Sequence, residues 1–459
     1  MSAEWPTVRL GDHVDSCLGK MLDKKKNKGI EQPYLGNSNV RWGAFDLSDL
    51  AQMKFEEHEQ ERYGIKPGDL LICEGGEPGR CAIWQGELSD MRIQKALHRV
   101  RMKASLNNRY LYYWLLHAGV RGLLEPYFTG TTIKHLTGRA LNNLEIPLPS
   151  IVHQKFVAEI LGSLDNKIQL NHQINQTLEQ MAQAIFKSWF VDFEPVKAKI
   201  AALEAGGNED DALLAAMQAI SGKTSEDLTR LQTEQPEQYT ELRATAELFP
   251  SAMQESELGE LPEGWSVDQL SELIQFNPRR SLKKGALAPY LDMKNVPTSG
   301  HLAENVVLRE MNSGTKFING DTLLARITPC LENGKTAFVD FLESGQVGWG
   351  STEYIVMKSK EPYPESISYV IARDTSFRQH AIQSMTGTSG RQRASAKALA
   401  ELPWIIYPQA LAEAFNRIAS PYLRLARSHG NESKSLSAMR DSLLPKLLSG
   451  ALKITTVGT

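Results

Sequence analysis

Two short polar loops hold the side chains best suited to chemistry in this chain. The first is Phe128-Thr129-Gly130-Thr131-Thr132, followed by Lys134, His135 and Arg139. The second is Met385-Thr386-Gly387-Thr388-Ser389, followed by Arg391, Gln392, Arg393 and Lys397. Hydroxyls and cations beside a glycine turn can hold phosphates, while Arg, Gln and Lys can read base edges in the major groove. Both copies keep the turn and change the side chains around it, the pattern expected of two readers of different sequences. A plainer role also fits: Thr131 or Ser389 caps the helix that follows. Asn37 and Arg41 beside Trp42, Arg80 near a Gly-rich turn, and Lys294, Asn295, Arg326 and Lys335 are further candidates for DNA contact. For each of these a structural hydrogen-bonding role fits as well. The run Lys24-Lys25-Lys26 suits a solvated loop or a phosphate-binding one.

Catalytic patterns do not emerge. There is no GxxxxGK[ST] phosphate loop, no HExxH or HxxxH spacing, and no CxxC. Glu74-Gly75-Gly76-Glu77-Pro78-Gly79 follows a strand pattern without opening a helix, so it reads as a hairpin turn. Asn277-Pro278-Arg279 begins like the Asn-Pro-Pro-aromatic element of amino-methyltransferases and then departs. Glu332-Asn333-Gly334-Lys335 misses the Glu-x-Lys spacing of some nucleases by one residue. The expectation is a chain that binds and organises, with no catalytic residue, metal or cofactor of its own. Two alternatives stand beside it: a single-chain methyltransferase or nuclease with degenerate motifs, and a coiled-coil scaffold without DNA specificity.

The elements that must position these loops occur twice, about 257 residues apart. Ile65-Lys66-Pro67-Gly68-Asp69-Leu70-Leu71-Ile72 answers Phe317-Ile318-Asn319-Gly320-Asp321-Thr322-Leu323-Leu324, and Trp5 and Trp265 open the two copies. Each Thr-Gly loop leads to an apolar-Pro run, Ile146-Pro147-Leu148-Pro149 or Ile405-Ile406-Tyr407-Pro408. Strand patterns at Asp69–Cys73, Arg80–Trp84 and Leu97–Met102 are matched by Thr322–Arg326, Thr336–Phe341 and Glu353–Lys358. Helical stretches follow at Arg109–Leu124 and Ser366–Thr386. The class is α/β, or mixed α+β.

After each copy comes a heptad seam. One runs Val157, Leu161, Leu164, Ile168, Asn171, Asn175, Leu178, Ala182, Ile185 and Trp189. The other runs Phe415, Ile418, Tyr422, Leu425, His429, Glu432, Leu436, Met439 and Leu443. Each predicts a helix of roughly 50 Å at 1.5 Å per residue. The polar centres, Asn171 and Asn175 against His429 and Glu432, meet in either helix direction. Seam polarity of this kind sets register in some coiled coils and is merely solvated in others.

Charge is unevenly spread. Residues 200–263 carry fourteen Asp/Glu against three Lys/Arg, a balance of −11 in a chain of net −3, so the remainder is at +8. A mildly basic body with an acidic helical insert is compatible with a polyanionic partner. The domains expected are 1–150, a first globular domain; 151–193, a helix; 194–259, the acidic insert; 260–408, a second globular domain; and 409–459, a second helix. No run of 18 apolar residues and no secretory pattern over Met1–Leu10 point to a cytoplasmic, non-membrane protein, with Cys17, Cys73, Cys81 and Cys330 reduced.

Taken together, these residues resemble the specificity subunit of type I restriction-modification enzymes. Ala184-Ile185-Phe186-Lys187-Ser188-Trp189-Phe190-Val191-Asp192-Phe193 is similar to that family's central conserved region, and Leu443-Leu444-Pro445-Lys446-Leu447-Leu448-Ser449-Gly450 to its C-terminal ending. The resemblance implies two target recognition domains, each reading half of a bipartite, asymmetric site in double-stranded DNA, separated by two helices in an antiparallel coiled coil. It implies two methyltransferase subunits carrying S-adenosylmethionine and two motor-nuclease subunits using ATP and Mg, with no cofactor on this chain. Phe186, Trp189, Phe190 and Phe193, with Leu443, Leu444 and Leu447, are more apolar than a two-helix seam needs. They are expected to dock a methyltransferase subunit, or else to pack on this chain's own recognition domains.

Overall fold

The computed structural model describes residues 5–23, 27–388 and 390–452. Lys24–Lys26 and Ser389 lie outside the described residues. Contacts divide the chain into two compact units, Met1–Gln169 with Ser433–Thr459, and Leu170–Glu432.

In the first unit, Leu70–Cys73 is central to a four-stranded antiparallel sheet with order Val14–Leu18, Leu97–Met102, Leu70–Cys73, Cys81–Ile83. All four side chains of Leu70–Cys73 are buried, as its unbroken apolar run demands. A second sheet orders Gln52–Phe55, Ile30–Leu35 and Arg92–Ile93, the last pair parallel. Thr7–Arg9 pairs with Glu145–Pro147, which ties the start of the domain to its end.

The second unit repeats this plan. Its four-stranded sheet has the order Ile274–Phe276, Tyr354–Ser359, Thr322–Ala325, Thr336–Phe338. Its other sheet again contains one parallel pair, Leu287–Leu291 with Gly348–Gly350. Ser266–Gln269 pairs with Pro403–Ile406. The mixed α/β expectation holds strand for strand. The helical stretch over 366–386 is two helices, Ser366–Arg373 and Thr375–Gln383, because Asp374 leaves the helical conformation and its carboxylate caps the amide of Phe377 at 2.8 Å.

The aspartate of each Gly-Asp turn works the same way in both units. Asp69 accepts from the amide of Lys66 at 2.8 Å and from Nε of Arg101 at 2.8 Å. Asp321 accepts from the amide of Ile318 at 2.9 Å and from Arg280 at 2.8 Å. The arginine comes from a different element each time, so the carboxylate is kept and its partner is replaced.

The acidic insert folds into four helices, Glu194–Glu204, Glu209–Ser221, Ser225–Glu234 and Pro236–Glu247. Ser225–Glu234 is opened by Thr224, whose side chain accepts from Asp227 N while Asp227 reaches back, a capping box that the Thr-x-x-Asp spacing encodes. Ala216, Met217, Leu228 and Ala246 give the insert a small core of its own.

The long helices are Ile151–Phe190 and Gln409–Leu448, and they run antiparallel. In the first unit His153 Nε2 meets the carbonyl of Leu447 at 3.1 Å, and Arg440 pairs with Asp165 at 2.8 Å. In the second, Asn171 Nδ2 donates to Glu432 at 2.8 Å, Asn175 Nδ2 donates to Ala426 O at 3.0 Å, and His429 Nδ1 lies 3.1 Å from Asn175 Oδ1. The seam of the C-terminal helix is rotated from its expected line. Leu425 and Met439 are 45% and 53% exposed, while Ala419, Leu423, Ala426 and Ser433 are buried. Most of these inward positions are small residues, which escape a search for large apolar anchors.

Each unit also binds its helix to its domain through a carboxylate. Tyr113 donates to Asp165 Oδ2 at 2.6 Å in the first, and Tyr369 to Glu179 Oε1 at 2.6 Å in the second. Tyr369 is nearly sealed from solvent, and burial drives its hydroxyl pKa well up. Tyr369→Phe would remove one of the two donors to Glu179 Oε1, the other being Gln183 Nε2, at a cost of about 2–3 kcal/mol. Urea unfolding followed by tryptophan fluorescence will read this as a lower midpoint with unchanged slope.

His98, buried, places Nε2 at 2.8 Å from the carbonyl of Leu136, and burial lowers its pKa from 6.5. The folded state therefore favours neutral His98. Its contribution is intact above the unfolded pKa and is lost as pH falls below about 6.5. Unfolding midpoints measured from about pH 8 to about pH 5 will drop more steeply for the native chain than for His98→Gln.

Candidate nucleic-acid interface

The two Thr-Gly loops close on themselves in the same manner. Thr129 and His135 exchange backbone hydrogen bonds of 2.8 and 2.8 Å, and Thr386 and Arg393 exchange bonds of 3.1 and 2.9 Å. Gly130 (φ +92°) and Gly387 (φ +127°) make the bend. A Cβ on Gly130 would lie 2.3 Å from the carbonyl oxygen of Ile133, so only glycine fits there. The second loop holds one more residue than the first between its bridging pair. Both hang from the same point of the sheet. Leu136 N donates to Glu74 O at 2.7 Å, and Ala394 N to Arg326 O at 2.8 Å.

The caps of the short helices that follow are Thr137, accepting from Ala140 N, and Ser395, accepting from Ala398 N. Thr131 is not the cap. Thr131, Thr132, Lys134, His135 and Arg139 are exposed, as are Thr388 and Arg391. Lys134 Nζ is 3.3 Å from Glu125 and lies over the Phe128 ring. Gln392 is half-buried, and its carbonyl accepts from Thr328.

Arg393 is tied, on the surface, to a residue outside the sequence-derived candidates. Glu353 receives its Nε at 2.9 Å and an NH2 at 2.7 Å, a bidentate pair that holds the Glu353 carboxyl below its ordinary value. The amide of Arg326 donates to the carbonyl of the same Glu353 at 3.0 Å. Arg393 therefore fixes the loop's base and leaves Arg391 as the outward cation. Nothing in the sequence around Ser351-Thr352-Glu353 marks this role, because it arises from strand register.

Around each loop the hairpin turn brings in a third segment. His135 sits against Gly75 and Asn37 against Gly76. Arg80 donates to the carbonyl of Asn37 at 3.0 Å and to Glu77 at 3.2 Å. Lys335 takes the equivalent place in the second unit and donates to the carbonyl of Met293 at 2.8 Å. Both cations brace a 3-10 turn, Asn37–Asn39 or Met293–Asn295. An internal carbonyl thus holds each of them, the structural hydrogen-bonding role weighed beside DNA contact. Arg41 is exposed but tied to the carbonyl of Ser38 and to Asp46 at 3.3 Å. Lys294 is exposed, and Asn295 reaches Asn305 O at 3.4 Å. Arg326 lines a cleft of about 410 Å³ with Arg280 and Lys316.

The docking expectation for the aromatic motif is also corrected. Phe186, Trp189, Phe190 and Phe193 are all under 7% exposed, inside the core of the second unit. Phe190 stacks on Tyr407 at 4.4 Å, Trp189 meets Phe249 edge-on at 5.4 Å, and Phe193 meets Trp265 edge-on at 5.6 Å. Leu444 and Leu447 are buried in the core of the first unit with Leu443 packed against it. Of the two roles open to these residues, packing on the chain's own domain is the one the structure gives them.

Among the described residues, Glu56, His58 and Glu59 place ligand atoms within 4.8 Å of one another, but Glu59 is already paired with Lys20 at 2.5 Å. No helix among the described residues is long and apolar enough to cross a membrane.

Residues 2–180 match the family described as type I restriction modification DNA specificity domain. The type I restriction enzyme HindI specificity subunit of Haemophilus influenzae is 32% identical over 472 residues, covering 98% of this chain and 100% of that protein. The MjaIX specificity subunit of Methanocaldococcus jannaschii is 22% identical over 84% of this chain and 78% of its own length. The crystal structure of an S subunit from M. genitalium aligns with 97% of this chain and 96% of its own, at 15% identity and a TM-score of 0.49. With nearly a third of its residues shared along its whole length with one such protein, the chain belongs to the type I restriction enzyme specificity subunits, which give a restriction-modification system its DNA sequence specificity.

Proposed function

We propose that each recognition domain reads one half of a bipartite, asymmetric duplex sequence, and that its closed Thr-Gly loop supplies contacts to bases and phosphates. The observation that carries this reading is the repeated loop. Its closure, its suspension from the sheet and its glycine are the same in both units, while the exposed side chains differ. A fixed frame with exchangeable contacts is what two readers of unlike half-sites require. The outward hydroxyls and cations, Thr131, Thr132, Lys134 and Arg139 in one copy and Thr388 and Arg391 in the other, are the contacts proposed.

The long helices would set the spacer between half-sites. Methyltransferase subunits would bind their exposed apolar positions, Leu170, Met181, Leu425 and Met439, rather than the buried aromatic motif. The chemistry would belong to those partners and to motor-nuclease subunits, with S-adenosylmethionine, ATP and Mg held there and the whole complex in the cytoplasm. This chain would act without catalytic residues, supplying position and selectivity.

Comparing the adenine methylome of a host strain with that of a strain lacking this gene tests the reading directly. Loss of methylation at one split motif is expected, and an unchanged methylome would overturn the assignment in a strain whose methyltransferase partner is expressed. Replacing residues 386–393 with the loop of another specificity subunit is expected to change one half of the motif only. In purified complex, Arg391→Ala will weaken binding about equally for cognate and altered duplexes and lower the salt slope by about one if it contacts phosphate. If it reads a base, the loss will instead be about 1–3 kcal/mol and confined to the cognate half-site. Glu353→Gln, which loosens Arg393, will impair discrimination at that half-site more than overall retention on DNA.

A further inference from the structure

A second cationic site lies in the first unit, at the end of strand Leu70–Cys73 opposite the Thr-Gly loop. It is a cavity of about 530 Å³ whose lining includes Lys66, Arg101, Lys103 and Lys155. Asp69 is the one acid in that lining, and Arg101 neutralises it through bonds of 2.8 and 3.1 Å. Three lysine charges are left over. Lys66 and Lys155 are exposed, and Lys103 is steadied by the carbonyl of Asp12 at 2.9 Å. The wall is rigid. Asn108 Nδ2 donates to Gly68 O at 3.0 Å, and fully buried Gln154 clamps the adjoining segment through Asn107 N, Ser105 O and Pro149 O.

The duplicated unit places a different side chain beside the same turn. Gly320 occupies the position of Gly68 in the same Gly-Asp turn, with Asp321 and Arg280 paired as Asp69 and Arg101 are. There the carboxylate of Glu365 lies against the glycine, 2.4 Å from where a Cβ would stand. Glu365 immediately precedes helix Ser366–Arg373, as Asn107 precedes helix Asn108–Val120. In one copy a carboxylate stands against the glycine. In the other the corresponding side chain against the glycine is the neutral Asn108, and lysines surround an open cavity.

We propose that this cavity is a phosphate-binding site. Three uncompensated ammonium groups outmatch a single carboxylate and suit a phosphate group, whether it is a phosphodiester of the DNA backbone or a free phosphate-bearing ligand. The proposal does not depend on which residues of the Thr-Gly loops read bases.

The test uses the full chain in complex with its methyltransferase partner, with inorganic phosphate and duplex DNA as probes. Titration calorimetry at low salt is expected to show saturable phosphate binding, weakened at least tenfold by Lys66→Ala/Lys155→Ala. Asn108→Glu, which copies the carboxylate of the second unit while keeping every lysine, should weaken it similarly. Thermal unfolding of each variant checks that the fold is retained. If the DNA backbone is the source, the double lysine variant will also lower the slope of log K against log salt by about two. If a free ligand is the source, phosphate binding will fall and the slope will stay. A chain in which neither the phosphate titration nor the salt slope responds to these variants would overturn the proposal.

Discussion

Each domain is tied to the central helix by a carboxylate on that helix. In the first unit Asp165 accepts from Tyr113 on one oxygen and from Arg440 on the other. In the second Glu179, 7% exposed, accepts from Tyr369, whose hydroxyl also receives Nε of Arg373 at 3.2 Å. Removing a carboxylate from water costs several kcal/mol unless hydrogen bonds and a cation replace the solvent. That cost makes each arrangement selective. A domain rotated on its helix, or a helix shifted along its neighbour, would strand the charge. Arg373 extends the constraint by donating to the carbonyls of Thr298, Gly334, Gly300 and Thr336, which belong to the segments flanking the hairpin turn. The turn that supports the Thr-Gly loop is thus held by the same network that docks the domain.

Duplication separates what the frame needs from what it tolerates. The Gly-Asp turn, the strand order, the parallel pair and the loop closure are kept in both units. Cationic partners are exchanged with their charge kept, Arg101 for Arg280 and Arg80 for Lys335, whereas Asn108 for Glu365 changes the charge beside the glycine. The aspartate of the turn is bound to a backbone amide in a fixed local geometry, whereas an arginine can reach it from any neighbouring strand. Local backbone demands therefore persist between the copies, and long side chains drift. The exposed positions of the loops face neither demand, which is why they are free to differ.

Sequence made the repeat legible because its signals are local. A glycine that must adopt positive φ, an aspartate that caps a turn and a four-residue apolar strand each leave a mark at a fixed offset. Thr137 and Ser395 were legible in principle as caps, yet the eye goes to the hydroxyls nearest the glycine. Glu353 was not legible, since its partner lies forty residues away and only strand register brings them together. The aromatic motif failed for another reason. An excess of Phe and Trp says that the residues seek burial, and it does not say against what. Phe190 satisfies that need with Tyr407, Trp265 and Phe415 of its own unit. The C-terminal helix was misread by about one position because its inward stripe is alanine and serine, which composition scoring treats as neutral.

The polar contacts between the long helices then acquire a definite purpose. A seam of Ala419, Leu423 and Ala426 against the central helix is smooth, and small side chains on one face discriminate poorly between registers. A slip of one heptad would move a helix by about 10 Å along its axis while presenting nearly the same apolar surface. Asn171 and Asn175 remove that degeneracy. Asn171, with no exposed surface, must find its hydrogen bonds inside, and Glu432 and the carbonyl of His429 are in reach in one register. Asn175 repeats the demand one turn on, with His429 and Ala426 O. Buried amides of this kind lower stability relative to leucine and raise the penalty for every misaligned pairing by more. For the proposed reading of two half-sites at a set spacing, the second effect is the one that matters.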